Sequence, residues 1–500
     1  MAVADLVSVG AGLDDRHRAA LELLVQAAAP IPGTSTTPVL VRQVDDVLAL
    51  DALPPHAERI VTFVRPQSGA TPSHVRVARS TAIDPHLRGA EFLAHTSQGD
   101  AVNGEILAGE GRSVAWMRRR QGDRIEDTIF GDAPTPGSDG RLDQAQLNGG
   151  TLPLVALVHI LREALGSEIT WPSPRAALVI DDPNLHAATY GHFAFRIVGD
   201  HLREAGAHLT IATVPLDSWY VKRSLVDYIA SNPALSLCIH GNRHLSREMA
   251  RPVTPHEARV FAAQALARVR PLERAGVVVE RVVVPPHGAC SETMLQGFAA
   301  AGYRGVCYLG PVASSTSASA IGLLPADVHL PGHLPGIHRQ KFDTPVARLQ
   351  VRGFLGQPIV LYGHHQDFVD THSLLDHLLH KVDQVGPVRW CSLATMLDAN
   401  YATLQRGRTL LVRAWSTSVV LPLSPNVEVV RVHWPDGSLG EDEVAVQDAT
   451  ATVRLSQRSA EAGRSAEPFP RDHLLPWAIV RRILVEGRDR LAPVVASPRR

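Results

Sequence analysis

Between residues 174 and 401 short apolar, β-branched runs alternate with longer amphipathic stretches. The runs cover 176–180, 209–214, 235–239, 277–284, 306–309 and 358–362, with 388–390 as a possible last one. They are almost continuous in apolar residues, as strands covered on both faces must be. Strands of this kind separated by helices predict parallel βα units and an open or distorted βα barrel. The helices carry start signals. Thr254-Pro255-His256-Glu257 has the composition of a capping box with a first-turn proline. Ser291 and Ser392 stand as candidate caps after their strands.

The flanking regions have other rhythms. Residues 14–29 place Leu21, Leu24 and Val25 on one helical face, and 59–64 and 113–116 have the character of strands. Residues 132–150 concentrate Pro134, Pro136, Gly137, Ser138, Gly140, Asn148, Gly149 and Gly150, the chemistry of a linker. Beyond Tyr401, the runs 410–412, 418–421, 427–433 and 451–455 and the turn Pro435-Asp436-Gly437 predict a small antiparallel β module. Residues 456–467 are polar, and 476–491 can form a closing helix. The expected organisation is an α/β chain. A mixed α/β domain spans 1–130, a linker 131–150, a distorted (β/α) barrel catalytic domain 151–401, and a β-rich module with a C-terminal helix 402–500.

Composition narrows the field little. A chain of 500 residues with 45% hydrophobic and 20% charged positions can bury a large core in two or more domains. A formal net charge of −1 supplies no field to draw nucleic acid or an anionic membrane, so neither is an expected partner. Cys238, Cys290, Cys307 and Cys391 form no CxxC pair, which argues against a disulfide framework and a thiolate zinc site. The first residues lack a basic start followed by an apolar run, and no apolar stretch is long enough to span a bilayer. A cytoplasmic location is the expectation.

Polar residues of catalytic type stand at the ends of three predicted strands. Asp181-Asp182 closes the first run, His240-Gly241-Asn242-Arg243-His244 the third, and His364-His365 follows the run at 358–362. Parallel βα folds place their active sites at the carboxyl ends of the strands. One carboxylate and two imidazoles suit a catalytic divalent metal with open positions, and a second carboxylate can then act as a general base. Each element alone has a bland explanation. Aspartates at strand ends cap helices, and 24 histidines in 500 residues yield about one His-x-x-x-His pair by chance. The conjunction at separate strand ends is what indicates a metal-dependent hydrolase.

The order of these motifs, with Val284-Pro285-Pro286-His287-Gly288 between the second and the last, resembles the polysaccharide deacetylases of carbohydrate esterase family four over residues 174–400. The resemblance implies a distorted βα barrel and a divalent metal, zinc in the first place. It implies Asp181 as catalytic base and Asp182, His240 and His244 as metal ligands. It also implies His364 as the acid that protonates the leaving amine, with His365 as the alternative. A backbone N–H in the Pro286-His287-Gly288 loop would stabilise the oxyanion. Two positions depart from the family pattern. Val284 stands where an arginine is common, so Arg339 or Arg243 would have to orient the base, and His287 replaces an aromatic residue. Tyr190, Gly191 and His192 are candidates to line a substrate groove. The implied activity is removal of an acyl group, acetyl in the first place, from an N-acylated sugar or related amide. A small-molecule C–N amidohydrolase and a catalytically silent glycan-binding module are the alternatives. Trp415 and Trp434 could stack on a sugar, with core packing the favoured role.

Overall fold

The computed structural model describes residues 7–28, 31, 37–45, 57–98, 104–136, 142, 151–166, 168–309, 323–326, 330–443, 452–457 and 475–496. Most of the expected linker at 131–150, and nearly all of the polar stretch 456–467, lie outside them.

The N-terminal region is a mixed sheet. Val7–Val9, Val39–Val44, Arg59–Val64 and Arg124–Phe130 run parallel, and Ser113–Gln121, Glu105–Glu110, Ser73–Val77 and Glu91–Ala94 continue it antiparallel. The helix Asp15–Ala28 buries Leu21, Leu24 and Val25 against it. The helix Thr151–Ala164 buries Leu152, Leu157 and Leu161 in the same core. The helix that opens the expected catalytic domain therefore packs with the first sheet. Its Glu163 accepts from Arg118 (2.7 Å), a guanidinium that also clamps the buried Asp127.

The central region is a parallel barrel. Its strands are β1 (Arg175–Asp181), β2 (Leu209–Thr213), β3 (Leu235–His240), β4 (Val279–Val284), β5 (Gly305–Tyr308), β6 (Gly336–His338), β7 (Gln340–Lys341) and β8 (Pro358–Gly363). Each lies parallel to its neighbours in the order β6-β5-β4-β3-β2-β1-β8-β7. β6 and β7 are one stretch of chain broken only at Arg339. Because β6 pairs with β5 and β7 with β8, that stretch joins the two edges and leaves the sheet nearly closed. The expectation of a strand at 388–390 resolves to Arg389–Trp390, which pairs alongside β1 outside the ring.

Side-chain alternation divides each strand between lumen and exterior. Ala177 and Val179 of β1, Ala212, Cys238, Val282, Cys307, Ile337 and Val360 form the lumen core. Leu178, Ile180, Ile211, Leu237, Ile239, Val283 and Leu361 face the surrounding helices in the main hydrophobic cluster. Those helices begin as their sequences require. Thr254 Oγ1 accepts from Glu257 N (3.2 Å) while Glu257 Oε2 accepts from Thr254 N (2.7 Å), which starts Pro255–Arg274. Ser291 and Ser392 cap the helices Glu292–Ala300 and Leu393–Asp398.

The C-terminal module departs from the antiparallel expectation. Thr409–Ala414 and Val429–His433 pair in parallel, because Ser418–Pro422, between them in sequence, leaves that sheet to pair with Thr452–Ser456. Tyr401–Arg406 and Leu439–Glu443 flank them antiparallel. Trp415 stacks on Trp171 at 6.2 Å and Trp434 lies in the module's core; both are buried, so neither presents a face to a sugar. Among the described residues no helix is long and apolar enough to cross a membrane.

Candidate metal centre

The last inward-facing positions of the barrel strands carry the polar residues. Alternation along β1 passes through Ala177 and Val179 to Asp181, and along β3 through Cys238 to His240. Both are buried. Asp182 is the first residue past the strand and has a positive φ of 82°, a conformation that aspartate tolerates better than most residues. Its amide is held by the carbonyl of Ala212 on β2 (3.1 Å).

Asp182, His240 and His244 each bring one potential ligand atom within 4.8 Å of the others. Asp182 Oδ1 lies 3.0 Å from His244 Nε2 and 3.5 Å from His240 Nε2. That oxygen is buried and lacks a hydrogen bond of good geometry. His240 Nδ1 lies 3.0 Å from the carbonyl of Val284, which fixes the ring and leaves Nε2 for the centre. A hard carboxylate and two imidazoles are a donor set that fits a divalent ion.

The loop carrying His244 is built on a residue that the sequence reading missed. Glu248, buried, accepts hydrogen bonds from the amides of Asn242 (2.7 Å), Arg243 (3.1 Å), His244 (3.0 Å) and Leu245 (3.3 Å). Gly241, with φ 64°, lets the carboxylate approach, since a Cβ there would lie 2.3 Å from Glu248 Oε1. This cradle holds His244 at a φ of 56°, a conformation rare outside glycine. A glutamate four residues after a histidine has no distinctive sequence signature for such a role.

Asp181 faces a different partner. Arg339 Nη1 donates to Asp181 Oδ1 at 2.6 Å, and the guanidinium lies over the Tyr362 ring, 4.1 Å from its centroid. Arg339 is therefore the cation beside Asp181 where Val284 offers none, while Arg243 belongs to the Glu248 loop. Burial pushes the Asp181 carboxyl up, but Arg339 and His240 outweigh it and hold the group below the usual carboxylate range. Burial also opposes ionisation of Asp182, and the two histidines hold it well below that range. For His240 burial acts downward, and Asp181 and Asp182 overcome it and raise its affinity for a proton.

His364 stands at the open rim. Its side chain is 47% exposed and its Nε2 lies 4.0 Å from Asp181 Oδ2. Its amide is tied to Asp367 Oδ2 (2.8 Å). His365 turns the other way. It is buried, with its ring edge-on to Tyr190 at 5.3 Å and stacked with His192 at 6.4 Å, so the alternative acid is withdrawn from the mouth. Tyr190 is itself fully buried in the main core and cannot line a groove, a correction to the expectation; the Thr189–Tyr190 and Phe193–Ala194 pair turns it inward. In the remaining motif Pro286 is buried, and the exposed His287 ring lies 5.2 Å from that of His244 at a φ of 57°. Gly288 follows, also at positive φ (67°).

No family model and no curated protein matches the chain. Solved structures do. One is a family 4 carbohydrate esterase from Streptomyces lividans in complex with acetate, at 13% identity and a TM-score of 0.29 over 44% of this chain and 94% of that one. Another is a pseudoenzyme of the same family from Bacillus anthracis, at 15% identity and 0.27 over 44% and 67%. A third is a maltose-forming amylase from a Pyrococcus species, at 8% identity and 0.29 over 43% and 47%. The reading of its chemistry rests on the site itself.

Proposed function

We propose that the protein is a metal-dependent hydrolase that removes an acyl group, acetyl in the first instance, from an N-acylated sugar or a related amide. One observation carries the reading: Asp182, His240 and His244 gather at the barrel mouth beside a separate carboxylate, Asp181, that a buried arginine keeps ionised. A divalent ion in the triad, zinc as the first candidate, would supply Lewis-acid polarisation of the acyl carbonyl and of water.

The chain's own residues supply the rest. Asp181, ionised and oriented by Arg339, takes the proton as water attacks. A backbone N–H of the Pro286-His287-Gly288 loop is the candidate donor to the developing oxyanion. His364, at the rim, delivers a proton to the departing nitrogen. The open setting of His364 and the buried setting of Asp181 suit an acid that must reach substrate and a base that must stay charged. The silent glycan-binding reading is motivated by the departures at Val284 and His287, and the presence of Arg339 at Asp181 weakens the first of these two motives.

Two assays test the proposal together. Purified wild type should hold near one divalent ion per chain and release acetate from N-acetylglucosamine oligomers or small N-acetyl amides. Asp181→Asn should keep its metal and lose turnover by about 100-fold or more, the scale of general-base catalysis. A wild type without metal, even after zinc is supplied, would sink the hydrolase reading. Turnover unchanged in Asp181→Asn would remove the assigned base.

A further inference from the structure

The helix Leu475–Ala496 returns from the far end of the chain to the barrel mouth, and it docks the wrong way round for an ordinary surface helix. Trp477, Val480, Ile483 and Leu484 are exposed. Among the described residues its buried apolar contact with the barrel is Ala478 and part of Ile479 against Val214, Leu216 and Leu245. The inward face is held by polar anchors instead. Arg482, buried, forks onto the buried Asp217, with Nε 3.1 Å from both carboxylate oxygens and Nη2 on Oδ2. Arg481 donates to the carbonyl of His244. Glu486 Oε2 lies 2.8 Å from His186 Nδ1, and His186 Nε2 lies 2.8 Å from the Asp217 carbonyl.

These anchors fall on three successive loops at the mouth. His186 follows Asp182 after β1, Asp217 follows β2, and His244 follows β3. The loops that carry Asp182 and His244 are thus tied together by a segment more than 230 residues away in sequence, as the Arg481–His244 separation of 237 shows. A ligand held at positive φ relies on its surroundings to stay there, and Arg481 grips the carbonyl of that same residue.

We propose that this helix is a strap that fixes the geometry of the metal centre, with Arg481 and Arg482 as positioning residues that set metal affinity without touching the metal. The proposal rests on the metal-centre reading above. Groups that orient ligands in this way commonly govern affinity by about 10- to 100-fold.

The test titrates zinc alone into the full-length chain, in competition with a chromogenic chelator, with thermal melting by circular dichroism alongside. Arg481→Ala with Arg482→Ala should weaken zinc binding by about 10- to 100-fold. Arg481→Lys, which restores a donor to the carbonyl, should recover part of that loss. Trp477→Ala, on the outer face of the same helix, should bind as wild type does. Arg482→Ala strands the Asp217 charge, so if the double variant does not fold, Arg481→Ala against Arg481→Lys decides the matter. Zinc affinity within about twofold of wild type in folded variants lacking Arg481 overturns the strap, well short of the loss expected of an orienting group. A wild type that takes up no zinc overturns the metal-centre reading itself, so the two failures are distinct.

Discussion

The two ends of the barrel lumen each bury a carboxylate, with opposite consequences. At the mouth, Asp181 meets the Arg339 guanidinium and the His240 imidazole and is held below its ordinary pKa. At the foot, Glu280 accepts from Thr210 Oγ1 (3.0 Å), from the Ser236 hydroxyl and from the amide of Ala394 (2.5 Å), and burial pushes it above its ordinary pKa. Desolvation is the largest influence on both. At the mouth a guanidinium bonds the carboxylate directly, whereas at the foot hydroxyls and one helix N-terminus make the contacts and Arg304 acts only as a smaller, non-bonded influence, so burial prevails there. The foot is also closed, with Leu393, Met396 and Leu397 of the helix Leu393–Asp398 packed into the lumen. Burial of an acid is therefore no sign of catalysis by itself.

The largest test of this contrast removes the cation. Arg339→Leu should leave Asp181 buried and unpaired, at a cost of about 3–5 kcal/mol in urea unfolding at neutral pH. It should also move the acid limb of the hydrolysis profile to higher pH, because Asp181 would lose the partner that favours its charged form. A neutral outcome in both would break the comparison at the mouth.

The foot has its own titration. Burial lowers His208 from its ordinary 6.5 to about 4, and its Nε2 lies 2.9 Å from Ser236 Oγ. The folded chain thus resists a proton that the unfolded chain accepts. That contribution is complete above the unfolded pKa and is lost as pH falls through the interval between the two values. It amounts to about 3 kcal/mol. Urea unfolding from pH 7 down to 4 should show a steeper decline for wild type than for His208→Gln.

Glu248→Ala should come next. Charge-assisted hydrogen bonds contribute about 1.5–3 kcal/mol each at most when broken singly, and the amides of the 242–245 loop can turn partly to water, so a net loss of about 2–3 kcal/mol is expected. Zinc affinity should fall with it, measured by chelator competition, because His244 loses its cradle. The smallest effect belongs to Glu280→Gln. A raised pKa means that ionising Glu280 costs stability as pH rises, so the amide should change stability by less than about 1 kcal/mol at pH 5 and be relatively favoured at pH 8. A large loss of zinc in this variant would erase the distinction between the ends.

Much of the barrel was legible because its strands are apolar on both faces, a pattern that survives without any tertiary information. The stretch Gly336–Lys341 was not. Its lumen positions are Ile337 and Arg339, and the alternating residues His338 and Gln340 are polar, with Gln340 bonded to His338 Nδ1 (2.5 Å) and the His338 carbonyl accepting from Arg352 (3.0 Å). A strand whose outward face is satisfied by hydrogen bonds presents no apolar run, so the closure of the ring went unseen. Tyr190 misled for the converse reason, since a tyrosine near an active-site motif shows nothing of the direction in which its local hairpin turns it.

What the sequence by itself determined is the set of strand ends and the residue types upon them, because parallel βα order obliges those ends to lie together. The gathering of Asp182, His240 and His244 follows from that obligation. What only the tertiary structure decided is which cation meets Asp181, which of His364 and His365 faces the rim, and where the C-terminal helix docks. Arg339 reaches Asp181 across 158 residues of chain. The amphipathic pattern of the C-terminal helix would by itself turn Trp477 and Leu484 inward, and they are exposed because the Arg482–Asp217 pair holds the other face. Contacts of this kind depend on distances through space between side chains remote in sequence, and no local period of apolar and polar residues encodes them.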